Sequence, residues 1–314
     1  MDDDFPFAEG VYRPTQVPHA DWSFGDFDRP INYPIFEEPV HYQATVYGFE
    51  AGGFEATVRE VDLQRMADAK LRPRGRRKPV EDRDEKDMLR AAARAKKTVR
   101  HAVKTIGATH LMTLTTREEE NTPESLAFKL KSFIRSYRSF AKEDFPYVAV
   151  PERHPSNPKH WHLHVAVRGF VKIKIARQIW WRCCGGRGMG NVDVKFIKVS
   201  AHKDGTPKGP LVKAERIARY ISKYMSKDLI FAHRPDKKRY WRSEFDLPEA
   251  RRYWLKARPG GGDDSLNGAL GEFMDRFGIA PSGLSLFMFP DSTGFWISYN
   301  PHNSLRAACH PPPF

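Results

Sequence analysis

The stretch KHWHLHVAV, residues 159–167, alternates imidazoles with apolar side chains, a pattern that constrains it to a β-strand. Successive strand side chains project to opposite faces. His160, His162 and His164 therefore share one face, and Trp161, Leu163 and Val165 share the other. The apolar face belongs against a core. The imidazole face loses hydration if the strand is central, and buried imidazoles need partners. Two readings are open there: histidines satisfied by neighbouring side chains, or ligands converging on a divalent cation.

The flanking periodicities build a fold around this strand. Residues 80–107 predict a helix, with acids in the first turns, bases later and Gly107 as a stop. THLMTLTT (109–116) reads as a strand. A helix over 122–142 starts at Thr122-Pro123-Glu124 and carries Leu126, Leu130, Phe133 and Tyr137 on one face. PYVAVPE (146–152) and the histidine strand are joined directly, which implies an antiparallel pair. A short helix (173–184), a strand (190–199) and a helix (212–229) follow. The order β-α-β-β-α-β-α predicts an α+β fold, a central antiparallel sheet with flanking helices. Residues 41–62 are expected to form a short hairpin. The expected division is an acidic, largely disordered arm with a basic linker (1–78), a central domain (79–245) and a basic, aromatic extension with a small tail (246–314).

Charge narrows the function classes. The formal net charge is +13 over 314 residues. Residues 1–60 hold twelve Asp/Glu against three Arg, which leaves +22 for the remainder. A body so basic favours a polyanionic partner through attraction and counterion release. Three cysteines without a C-x-x-C pair exclude a disulfide framework and suit a reducing compartment. The acidic opening MDDDFPF is unlike a secretory leader, and no apolar run approaches membrane-spanning length, so a cytoplasmic protein without membrane contact is expected.

Two further features carry chemistry. Glu152 ends the strand before the histidine strand, so antiparallel pairing can bring it beside His162 and His164. Two imidazoles and a carboxylate suit a cation that must also accept phosphate oxygens. RYISKYMSK sets Tyr220 and Tyr224 four apart on one helix face, with Lys223 and Lys227 each three residues on. Tyrosines at the rim of an amphipathic helix are one reading. Covalent nucleophiles are the other, because a phenol can attack phosphorus when a cation or ammonium favours its phenolate.

LMTLTT, HWHLHV and YISKYMSK, in that order, resemble the three motifs of the HUH endonucleases, and specifically rolling-circle replication initiators of phage and plasmid type. His162-Leu163-His164 fits the family's paired histidines, and two tyrosines four apart resemble its two-tyrosine branch. The resemblance covers roughly residues 85–245. It implies a ferredoxin/RRM-like palm with the histidines on a middle strand. It also implies Mg²⁺ or Mn²⁺ held by His162, His164 and Glu152, with Tyr220 or Tyr224 attacking the scissile phosphate. The products would be a 5′-phosphotyrosine and a free 3′-OH, with Lys223 or Lys227 assisting at the phosphate.

The expected substrate is single-stranded DNA at a replication origin, with host helicase and polymerase as further partners. A positive groove with stacking aromatics suits that ligand. Arg219, Tyr240, Trp241 and Arg242 are its expected contacts, although the same aromatics could instead bury a C-terminal segment against the sheet. Two rival readings remain: a single-strand DNA transposase of the same chemistry, and a non-catalytic single-stranded-DNA-binding replication factor.

Overall fold

A computed structural model describes residues 41–50, 53–71, 79, 82–154, 156–196, 210–231, 238–256, 263–279, 284–290 and 293–300. The acidic residues 1–40, most of the basic run 71–78, the glycine run 260–262 and the tail from 301 lie outside the described residues.

Local chemistry sets the helix boundaries. Helices α1 (Leu63–Leu71) and α2 (Glu85–Thr105) follow a hairpin of strands β1 (His41–Phe49) and β2 (Gly53–Val61). Helix α2 starts where the Asp84 carboxylate accepts the Asp87 N–H. It ends in a Schellman motif: Gly107, at φ 58°, donates to the Lys104 carbonyl, and Ala108 donates to that of Val103. After β3 (His110–Thr116), α3 (Pro123–Ala141) opens with a capping box between Thr122 and Ser125 and with Pro123 in its first turn. Strands β4 (Tyr147–His154) and β5 (Asn157–Val167), helix α4 (Ile173–Cys183), strand β6 (Gly190–Phe196) and helix α5 (Pro210–Phe231) complete the predicted order. Strands β7 (Trp241–Arg242) and β8 (Arg251–Lys256), helix α6 (Asp263–Phe277), and strands β9 (Leu284–Met288) and β10 (Gly294–Tyr299) close the chain.

The strands form two five-stranded antiparallel sheets. The histidine sheet runs β6-β3-β5-β4-β7, with the histidine strand central. The other runs β8-β1-β2-β10-β9 and is built from both sides of the histidine sheet's sequence. The fold is α+β, as expected, and the 41–62 hairpin is present; its pairing with β8 and β10 was not anticipated.

Alternation along β5 separates two cores. Leu163, Val165 and Trp161 pack with Met112, Leu114, Phe133 and Trp180 beneath α3 and α4. On the opposite face, Ala166, Leu111 and Val150 pack with Val99 and Val103 of α2 and Ile217, Ala218 and Ile221 of α5. The second sheet packs Phe54, Val58, Phe295 and Ile297 against Phe273 of α6. Its other face carries Glu55 and Ser298, which meet Arg100, His101 and Lys104 of α2.

Candidate metal centre and tyrosine helix

Strand register assembles the site. Glu152 on β4 stands directly opposite His162 on β5, and His164 stands between Val150 on β4 and Thr113 on β3. Leu163, between the two histidines, turns into the α3/α4 core and locks the strand's facing. The His162 and His164 rings thus face α5 from the middle of the sheet.

Their donor atoms converge. Glu152 Oε2 lies 2.8 Å from His162 Nε2 and 2.6 Å from His164 Nε2, and the two Nε2 atoms are 3.2 Å apart. Ligands in cis positions of an octahedral ion, each about 2.1 Å from it, stand about 3 Å apart. The three donors have that spacing, so the residues fit a divalent cation that retains open positions. The residues are largely sheltered but not sealed: His162, His164 and Glu152 side chains are 12%, 6% and 16% exposed. Among the described residues, no other group of three or more His, Cys, Asp or Glu residues could hold a metal ion.

The electrostatics suit ligation. Burial by itself would raise the Glu152 pKa, but hydrogen bonds from His162 and His164 outweigh it and bring the pKa down to about 2. Burial also pushes the His164 pKa below its ordinary value, only partly opposed by its hydrogen bond to Glu152. The carboxylate is ionised and the His164 imidazole neutral at neutral pH, the states that ligands need. The His164 Nδ1 lies 3.3 Å from Thr113 Oγ1, a contact that orients the ring with Nε2 outward. Thr113 was not singled out from sequence. Its signal was there: a polar residue alternating with leucines in LMTLTT.

Helix α5 brings a phenol to this cluster. The Tyr220 ring meets the His164 ring edge-on, centroids 5.6 Å apart. Tyr220 sits beside Ile217 and Ile221, which anchor the helix on the sheet. Lys223 is exposed on the same helix. Tyr224 and Lys227 also lie on α5, but their side chains fall outside the described residues. His160 is turned to the Thr116 carbonyl, 3.0 Å from its Nε2, and stands apart from the three donors.

The expected DNA contacts have local roles. Arg219 Nε holds Glu215 at 3.2 Å while the side chain stays 59% exposed. Tyr240 packs on the α2/α5 core and Trp241 on the α3/α4 core. Arg242 donates to the carbonyls of Ser243 and Phe245. A guanidinium that the sequence did not flag is Arg239. Its Nη1 is buried without a hydrogen-bond partner. Burial first, then the charges of Arg83 and Arg94, lower its pKa.

Residues 109–229 match the family model of the replication-associated protein ORF2. This segment is similar to replication-associated proteins. The match runs from the start of β3 nearly to the end of α5 and takes in Glu152, His162, His164 and both tyrosines. Helix α2, strand β7 and the whole second sheet lie outside it. No curated protein and no solved structure matches the chain. Among the described residues no helix is long and apolar enough to cross a membrane.

Proposed function

We propose that this chain is a rolling-circle replication initiator, a metal-dependent single-strand DNA endonuclease and strand transferase of the HUH type. One observation carries the reading: two imidazoles and a carboxylate converge at ligand spacing on a central strand, and the Tyr220 ring stands against one of those imidazoles. The same donor set can serve several divalent metals. A phenol beside it, within a replication-associated segment, favours phosphodiester chemistry with Mg²⁺ or Mn²⁺.

Glu152, His162 and His164 would hold the cation, which when bound would act as a Lewis acid on a non-bridging phosphate oxygen. Tyr220 is the nucleophile. Its Oη forms a bond to phosphorus while the P–O3′ bond breaks. The phenol gives up its proton, and the departing 3′ oxygen gains one. The products are a 5′-phosphotyrosine and a free 3′-OH that can prime synthesis. One phosphodiester replaces another, so rejoining needs no external energy source. Lys223, exposed on α5, is assigned to the charge on the phosphate. Tyr224, one turn beyond Tyr220, is assigned to the second cleavage that releases a circle. Host helicase and polymerase would then act on the nicked origin in the cytoplasm.

The test is covalent capture. Full-length protein is incubated with a pool of single-stranded DNA and candidate origin duplexes in Mn²⁺, with EDTA as control, and resolved on denaturing gels. The expected result is a metal-dependent protein–DNA adduct, lost in His162→Ala and His164→Ala and in the Tyr220→Phe/Tyr224→Phe double variant. DNA binding without any adduct on all substrates would overturn the reading and favour a non-catalytic replication factor.

A further inference from the structure

The second sheet lies outside the replication-family match, yet it is wired to the helix that carries Tyr220. Lys104 of α2 is buried to 1% exposure between two carboxylates. Its Nζ lies 2.7 Å from Glu55 Oε1 on β2 and bonds Glu215 on α5. It also donates to Ser298 Oγ on β10 at 2.8 Å, and that hydroxyl donates to Glu215 at 3.1 Å. Arg100 completes the set, with its guanidinium 2.7–2.9 Å from both Glu55 oxygens. Two carboxylates and two cations balance within a site closed to water.

Such a network is weak grounds for claiming stability, because desolvation offsets much of its attraction. What it supplies is direction. The contacts that seat α5 on the histidine sheet are Ile217, Ala218 and Ile221, and apolar burial is non-directional. A helix held by a smooth apolar stripe can rotate slightly about its axis at little cost. Charge-assisted hydrogen bonds are short and angular. Glu215 and Tyr220 are five residues apart, about 140° around the helix. Fixing Glu215 against Lys104 and Ser298 therefore fixes where Tyr220 points. A rotation of about 10° would swing a phenol oxygen about 8 Å from the axis by more than 1 Å. A displacement of about 1 Å can cost on the order of 100-fold in rate.

We infer that Lys104, with Glu55 and Ser298, is a positioning device: the second sheet sets the rotational phase of α5 and so aims Tyr220 at the metal centre. The inference rests on Tyr220 being the nucleophile. It gives the second sheet a task in the reaction that requires no contact with DNA.

The experiment uses the full chain as Lys104→Met, Lys104→Arg, Ser298→Ala and wild type. Hydrogen exchange is read at the α5 amides and at β3–β5. Mn²⁺ affinity, single-stranded DNA affinity and the single-turnover rate of adduct formation are measured alongside. In Lys104→Met, exchange should rise about tenfold in α5 but not in β3–β5, with Mn²⁺ and DNA affinities unchanged. Adduct formation should slow on the order of 100-fold. Lys104→Arg, which keeps charge and donors, should recover most of the rate. If Lys104→Met does not fold, Ser298→Ala decides, because it removes one hydroxyl and should move both readouts the same way by less. Folded variants with wild-type α5 exchange and wild-type rate would overturn the inference. If the wild type forms no adduct, the proposed chemistry fails, while the exchange data still decide whether the network holds α5.

Discussion

Thr113 shows how much of a metal site lies outside its ligands. Its hydroxyl meets His164 Nδ1 and fixes which nitrogen faces Glu152. Outer partners of this kind commonly matter about 10- to 100-fold in metal affinity or activity. Thr113→Val, close in shape, should weaken Mn²⁺ binding by about that factor while leaving the fold intact, as read by calorimetric titration and circular dichroism. Unchanged affinity would remove Thr113 from the site. Glu152→Gln should act more strongly on the same titration, because it replaces the one anionic donor with a neutral amide.

At the scale of elements, close packing against the site's far face determines what changes β3 and β6 tolerate. Gly190 opens β6 against Trp180, whose indole N–H donates to the Thr115 carbonyl at 2.7 Å. A Cβ at Gly190 would lie 2.6 Å from that carbonyl and 2.7 Å from the indole nitrogen. Backbone cannot yield there, so Gly190→Ala should break the Trp180–Thr115 bond and lower the urea midpoint. Leu163→Ala opens a cavity beneath the histidines and should cost about 2–5 kcal/mol. A midpoint unmoved by either change would contradict the packing described here. The elements themselves were largely legible in the sequence. Thr122-Pro123, Asp84 and Gly107 act at the helix ends that they marked, because caps and turns depend on bonds a few residues apart. Element ends moved by only a few residues, as in α5, which begins at Pro210 rather than 212.

At the scale of the whole molecule, charge decides behaviour. Acid should destabilise the protein through the joint between its sheets. Burial pushes the His101 pKa below its ordinary 6.5, despite the nearby Glu55, while Arg100 and Lys97 push the same way as burial. The Glu55 carboxyl is desolvated, which alone would raise its pKa. Hydrogen bonds from His101 and Arg100 and the charges of Lys104 and Arg100 hold it well below the usual carboxylate range. Both groups bind protons more readily in the unfolded chain, so stability rises with pH. The His101 share is lost as pH falls below about 6.5, and the Glu55 share as pH falls below about 4.5. Urea midpoints should therefore drop between pH 7 and 5, and His101→Gln should reduce that drop. An identical pH profile in the variant would exclude His101 as a contributor. On the basic side, Arg239 has a buried, unpaired nitrogen near Arg83 and Arg94, suited to a phosphate oxygen. Arg239→Gln should weaken single-stranded DNA binding at every sequence and lower the salt slope by about 0.7. A slope equal to wild type would rule out that contact.

Alternating side chains placed His162 and His164 on one face, and the short link to β4 brought Glu152 beside them. Those arrangements follow from local periodicity and antiparallel register, so the sequence by itself determined the donor set, the tyrosine helix and the α+β class. It did not determine that residues 41–61 pair with residues 251–299, or that Glu55, Lys104, Glu215 and Ser298 meet. These residues come from four elements far apart in sequence, and no periodicity encodes such a meeting. Only the packed structure, where burial forces each charge to find a partner, decided it.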